Sequence, residues 1–338
     1  MNGYERIKAA LEGRWPDKRP VMLHNFMLAA REAGLKMKDY NSNPVNIANA
    51  HIQAVEKYEL DGVFLDIDTA LLASAVGVPV DFPDDEPART HTALLTSLEQ
   101  VKYLAPVDVS KNYRIEIAVE AAALLKGYFG NEIFLRGNCD QAPFSLASMM
   151  RTPSEWMMDL ITGDELVFNL LDYCTDACCQ FINLMAATGI HMISNGDSPA
   201  GPDMISPDMY KTFALPYEKK LVQHTHRLGL PYMLHICGNT DAILNDMPET
   251  GMDAVELDYK TDIRKIHELY KNRITLSGTI DPSGVIALGS AEMVEEKALE
   301  ILKLYKDSPR LIMNAGCAIP PGAPEKNIRR LVEITKNY

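Results

Sequence analysis

Eight short apolar stretches recur along the chain with helical material between nearly every pair, and this alternation restricts the fold more than any other feature. They fall at residues 19–24, 62–68, 132–138, 190–195, 231–237, 254–258, 274–279 and 310–315. Each has the length and residue types of a buried strand. The intervening segments carry helix starts with proline near the first helical position, as in Thr152-Pro153-Ser154-Glu155, Ser206-Pro207-Asp208, Asp281-Pro282 and Ala323-Pro324-Glu325. Parallel neighbours need crossovers of this length, so the alternation predicts a parallel sheet. Eight units favour closure. The expected architecture is an α/β fold, a single (β/α)8 TIM-type barrel occupying residues 1–338 as one domain, with a short N-terminal helical extension over residues 3–12. In that extension Tyr4, Ile7, Ala10 and Leu11 share one face. Residues 46–58 read as a helix, and residues 78–112, rich in Pro and Asp, read as an insertion with a short helix near Leu98 that covers part of one rim.

Composition narrows the partners. No apolar run reaches the roughly 18 residues that cross a bilayer, and the first residues lack the apolar region of a signal peptide, so a cytoplasmic protein is expected. Six cysteines without paired short spacings then point to reduced thiols and a metal role rather than a disulfide framework. A formal net charge of −13 disfavours nucleic acid and anionic membrane surfaces as partners. A small molecule or another protein is expected instead.

The stretch Pro231-Tyr232-Met233-Leu234-His235-Ile236-Cys237-Gly238-Asn239-Thr240 is the most informative. Residues two apart in a strand face the same way, so His235 and Cys237 project together at its carboxyl end. A His-x-Cys is common by chance, and both residue types also serve as interior packing. A third soft ligand, Cys317, follows the eighth strand in Asn314-Ala315-Gly316-Cys317, and closure of a barrel puts it on the same rim. One imidazole and two thiolates are a zinc-type set that leaves a position open, and Asp258 on the neighbouring sixth strand is the choice for a fourth ligand. Cys139 is a fallback, while Cys174, Cys178 and Cys179 lie in a helix pattern and read as helix-face residues. The other strand ends carry His24 and Asn25, Asp66 and Asp68, Arg136, Asn138 and Asp140, Asn195 and Asp197, Glu256, Thr279 and Asp281, and Asn314.

Over essentially its whole length the chain resembles the uroporphyrinogen decarboxylase superfamily. The resemblance lies in Ala142-Pro143-Phe144-Ser145-Leu146-Ala147-Ser148, in Ile205-Ser206-Pro207 continuing through Tyr210, Phe213 and Pro216, and in residues 320–333. Decarboxylases of this group carry an arginine-rich segment after the first strand, where this chain has Ala30-Arg31-Glu32-Ala33-Gly34-Leu35-Lys36. Asp68 matches their aspartate, but Met149 replaces the expected tyrosine and Cys317 the expected histidine. The corrinoid-dependent methyltransferase branch instead holds zinc by a His-x-Cys pair and a distant Cys, which His235, Cys237 and Cys317 match.

That resemblance implies a zinc-dependent transfer of methyl between a small substrate, whether thiol, methyl ether, methylamine or methanol, and the cobalt of a corrinoid. No Asp-x-His-x-x-Gly module or phosphate loop is present, so the corrinoid is expected on a separate protein. Asp68 and Asp197 are the candidate catalytic residues. Asn195, Arg136, Met149 and Tyr232 are the candidates for substrate binding. A uroporphyrinogen decarboxylase is the alternative, and a non-catalytic zinc-containing binding module the second alternative.

Overall fold

The computed structural model describes residues 1–163 and 165–338. Among the described residues nine strands are present: β1 (Gly62–Leu65), β2 (Val80–Asp81), β3 (Arg89–Thr90), β4 (Phe134–Gln141), β5 (Met192–Gly196), β6 (Tyr232–Ile236), β7 (Ala254–Leu257), β8 (Thr275–Ser277) and β9 (Leu311–Ile312). Seven of them form one sheet in the order β1-β4-β5-β6-β7-β8-β9, each neighbour pair parallel, while β2 and β3 make a separate antiparallel hairpin. The result is a curled parallel sheet wrapped by helices.

The stretch expected as the first strand is reduced to a single parallel bridge, Val21 with Met313. Its backbone is nonetheless bonded on both sides: Asp61 N donates to Val21 O at 2.9 Å, and Met313 N donates to Pro20 O at 2.8 Å. Pro20 has no N–H of its own to give, which shortens the ladder.

Elsewhere the helix signals act locally as expected. Asn43 caps Pro44–Tyr58 by accepting from Val45 N, and the stripe Ile47, Ala50, Ala54 and Val55 is buried. The 78–112 insertion holds the β2–β3 hairpin and a 3₁₀ helix, Leu98–Tyr103. Past Asp281-Pro282 the chain makes only a π-type turn, Pro282–Ala287, and the long helix starts at Ala291 under a Ser290 cap. Glycine at 289 and serine at 290 delay it.

Alternation along the strands sorts side chains into two environments. Tyr232, Leu234 and Ile236, with Ile193, Val255, Leu257 and Leu276, join the apolar layer between sheet and helices. The opposite set lines the inside of the curl. Its lower layer is apolar: Met22, Phe64, Phe134, Met192, Met233, Ala254 and Ile312 cluster with Ile7 and Ala10 of the N-terminal helix α1 (Gly3–Leu11). Each fully buried Met, Phe or Ile of this layer stabilises the fold by about 1.5–3 kcal/mol. Gly62 lets the helix approach, since a Cβ there would lie 2.7 Å from Ile7 Cδ1 and 2.9 Å from Met22 Sδ. Above that floor the inward side chains turn polar.

Candidate metal centre

Three ligand-type atoms converge at the carboxyl end of the sheet. His235 Nε2 lies 2.9 Å from Cys237 Sγ, Cys237 Sγ lies 3.6 Å from Cys317 Sγ, and Cys317 Sγ lies 4.0 Å from His235 Nε2. Tetrahedral zinc with bonds of about 2.3 Å to sulfur and 2.0 Å to nitrogen separates such atoms by about 3.5–3.8 Å. The triangle and the donor types fit that ion. All three side chains are partly exposed, and among the described residues no fourth His, Cys, Asp or Glu joins the group.

Local backbone explains the convergence. His235 and Cys237 follow the strand alternation. Cys317 is brought in by its approach: Ala315 bridges Ile280, Gly316 N donates to Ile280 O at 2.8 Å, and Ile319 N donates to His24 O at 2.8 Å. A Cβ on Gly316 would come within 2.9 Å of Tyr259 N, so glycine permits the close pass beside the end of β7.

The electrostatics of the three side chains follow from this proximity. The hydrogen bond from Cys317, against the effect of burial and with help from His235, holds the Cys237 thiol down at about 3. Cys317, as the donor in that bond, is pushed above its ordinary value. Burial would lower His235, but the adjacent Cys237 sulfur raises it to about 9. In contrast, burial, aided by nearby acidic groups, pushes up the thiols of Cys139, Cys174 and Cys178, and raises Cys179 to about 11. Of the six thiols, Cys237 alone is made more acidic.

Beneath the triangle lies a buried polar layer. Glu256 accepts from His24 Nδ1 (3.2 Å), from Asn314 Nδ2 (3.2 Å) and from Arg136 Nη1. His24 Nε2 meets Asp66 Oδ2 at 2.7 Å, and Asn138 Nδ2 donates to Asp66 Oδ1 at 2.8 Å. Arg136 Nε donates to Ser194 Oγ at 2.9 Å, with its guanidinium 3.5 Å over the Phe64 ring. Burial would raise the Glu256 carboxyl, yet Arg136 and His24 hold it below its ordinary value. Likewise burial would lower His24, and the Asp66 and Glu256 carboxylates raise it. His24, Asp66, Asn138, Glu256 and Asn314 stood out in the sequence only as strand-end polar residues, without roles.

The remaining candidates occupy other places. Asp258 accepts from Gly238 N and Lys260 N, both at 3.1 Å, and lies outside the group of three. Asp68 accepts from Arg114, from Asn41 Nδ2 at 3.2 Å and from Ala70 N at 2.9 Å. Arg136 is fully buried in the polar layer. Tyr232 donates to Asn195 Oδ1 at 3.0 Å, and Asn195 Nδ2 donates to Cys139 O at 2.8 Å, on the helix side of the sheet. Asp197 accepts from Ser145 N and Ser145 Oγ, at 2.8 and 2.6 Å, and its second oxygen belongs to a buried carboxyl pair with Glu218. Met149 sits half-buried in the helix Pro143–Arg151 against the main apolar core.

The family model for uroporphyrinogen decarboxylase (URO-D) matches residues 2–338. A methylcobamide:CoM methyltransferase, MtbA of Methanosarcina mazei, is 34% identical over 243 residues, 70% of each chain. MtaA of Methanosarcina barkeri, also a methylcobamide:CoM methyltransferase, is 26% identical over 98% of this chain and 97% of its own. A uroporphyrinogen decarboxylase of Prochlorococcus marinus is 27% identical over 91% of both. Among solved structures, a methyltransferase from Methanosarcina mazei superposes with a TM-score of 0.90 at 24% identity, covering 100% of this chain and 99% of that one.

Proposed function

The chain belongs to the uroporphyrinogen decarboxylase family, and from that membership we propose that it is a zinc-dependent methyltransferase working with a corrinoid carried on a separate protein. One observation carries this reading: a decarboxylase relative shares the length of the chain, but the His235, Cys237 and Cys317 triangle has the make-up of a metal-ligand set, and relatives at 34% and 26% identity are methylcobamide:CoM methyltransferases. The small substrate is a thiol acceptor, or a methyl ether, methylamine or methanol donor. Zinc bound there supplies a Lewis acid that favours the thiolate form of an acceptor or steadies the departing heteroatom of a donor, and the corrinoid supplies the cobalt that holds the methyl group.

The chain's own residues prepare the site. His235, Cys237 and Cys317 provide three ligands and leave room for a substrate atom. The closed eight-stranded barrel belongs to this reading as well, with residues 20–22 standing as the missing strand; their hydrogen bonds to Asp61 and Met313 support it. Closure leaves the mouth ringed by the loops that follow the strands, where the partner protein docks. In this arrangement Asp68 and Asp197 act on loops: the first anchors Arg114 and the turn at Ala70, the second anchors the start of the helix at Ser145.

Decarboxylation of a many-carboxylate substrate needs several open cations. Arg136 and Arg114 are instead committed to Glu256 and Asp68, and Arg31 donates to Pro321 O at 2.6 Å. A purely structural zinc would have four protein ligands, and the group contains three. The test is spectral: zinc-loaded protein is mixed with methylcobalamin and a panel of thiols, or with reduced cobalamin and methoxyarenes, methylamines and methanol. Zinc-dependent conversion in either direction, lost when the three ligands are changed to alanine, is expected. Release of carbon dioxide from uroporphyrinogen without any corrinoid conversion would replace this reading with the decarboxylase.

A further inference from the structure

We propose that Glu256 is the positioning residue of the metal centre: its carboxylate and its carbonyl together fix the His235 ring so that Nε2 is the nitrogen presented to the ion. The inference rests on His235, Cys237 and Cys317 being metal ligands. It adds what orients the first of them.

His235 and Glu256 are direct partners across β6 and β7, both facing the inside of the curl. His235 Nδ1 lies 3.1 Å from Glu256 O and 3.4 Å from Glu256 Oε1. Neither oxygen can donate while the carboxyl is ionised, so Nδ1 keeps its proton and Nε2 is left as the ligating atom, facing the two sulfurs. The carbonyl is set by the strand. The carboxylate completes the grip and limits rotation of the ring.

Glu256 is itself held from several sides. Arg136 from β4 and Asn314 from just beyond β9 reach Oε2, while His24 reaches Oε1. Those partners are anchored in turn, Arg136 on Ser194 and Phe64, His24 on Asp66, and Asp66 on Asn138. Interior ion pairs are seldom the most stable filling for such a space, because apolar residues of similar volume avoid the desolvation penalty. An ionic layer lying directly under three metal ligands therefore points to alignment of the site, and a metal-bound histidine characteristically has such a partner on its other nitrogen.

The experiment measures metal binding and needs no methyl transfer. Zinc affinity of the full chain is determined by competition with a chromophoric chelator for wild type, Glu256→Gln and Glu256→Asp. Glu256→Gln is expected to bind zinc about 10–100-fold more weakly, with Glu256→Asp between the two. A folded Glu256→Gln protein that binds zinc as tightly as wild type would overturn the proposal. Long-range 15N–1H spectra of zinc-loaded wild type give a second measurement that does not depend on how the variants fold. A proton on Nδ1 with a metal-shifted Nε2 supports the assignment, and the reverse pattern overturns it. Wild-type protein that takes up no zinc would remove the metal reading itself, whereas zinc uptake without corrinoid conversion would remove only the proposed reaction.

Discussion

Cys237 and Cys317 stand 80 residues apart in the chain, yet their sulfurs lie 3.6 Å from each other at the mouth of the sheet. The contact depends on two loops that follow non-adjacent strands, and it separates these thiols from the rest. Cys139, Cys174 and Cys178 are buried, and Cys179 is half-buried on its helix.

That separation predicts a labelling pattern. Brief iodoacetamide treatment of the metal-free, folded protein should modify the Cys237–Cys317 pair at Cys237 first, with Cys139, Cys174 and Cys178 untouched until denaturant is added. Prior addition of zinc should slow labelling of the pair by at least about tenfold, since ligated thiolates are withdrawn from attack. Peptide mass mapping reads the sites. Equal labelling of Cys237 with and without zinc would contradict the assignment.

Zinc should also stabilise the fold by mass action. At a free concentration one hundred times its dissociation constant, a ligand specific for the native state adds about 2.7 kcal/mol. Thermal melts at increasing buffered zinc should rise accordingly for wild type. They should stay flat for a Cys237→Ala/Cys317→Ala protein.

The carboxyl pair Asp197 and Glu218 gives a pH prediction. Asp197 Oδ2 and Glu218 Oε1 have no N–H or O–H donor, and one proton shared between the two groups satisfies both. Burial raises Asp197 to about 6 and Glu218 well above its ordinary value. Carboxyls raised by folding bind protons more tightly in the native state, so their contribution is fully present below the unfolded value of about 4 and is lost as pH climbs through the folded values. Glu218→Gln supplies a permanent donor. Urea unfolding should show it more stable than wild type by about 1–3 kcal/mol at pH 8, with little difference at pH 4. A gain that does not change between these two pH values would contradict the shared proton.

Asp68 and Arg114 form an ion pair in which both side chains are almost fully buried. Asp68→Asn leaves the guanidinium without its counter-charge and should cost about 3–5 kcal/mol of stability. Adding Arg114→Met should recover most of that loss. A double-mutant cycle from urea midpoints measures the coupling, and a single-variant loss below about 1 kcal/mol would show the pair to be incidental.

Much of this arrangement is legible from strand alternation, and the same alternation reaches further along the sheet. It placed His235 and Cys237 on a common face. Carried across the parallel register, in which Asn195 pairs Leu234 and Gly196 pairs His235, it also turns Asn195 and Tyr232 toward the helices. Both are substrate-binding candidates by residue type, and the register puts them on the face opposite His235 and Cys237. Arg136 illustrates a different limit. Its inward direction follows from its position, but its partner Glu256 is 120 residues away, and nothing local announces that a cation is already neutralised. The helix starts at Pro153, Pro207 and Pro324 are readable because proline in the first turn is a local signal. The first strand read as apolar, but Pro20 and the short run after it support only one bridge.

The N-terminal helix packs Ile7 and Ala10 into the apolar floor formed by Met22, Phe64, Phe134, Met192 and Met233. Apolar side chains thus stopper that end of the curl. On the proposed methyl-transfer reading, a small reactant would be seated from the opposite rim before a cobalt carrier covers it, an order in which the larger partner is last to arrive and first to depart.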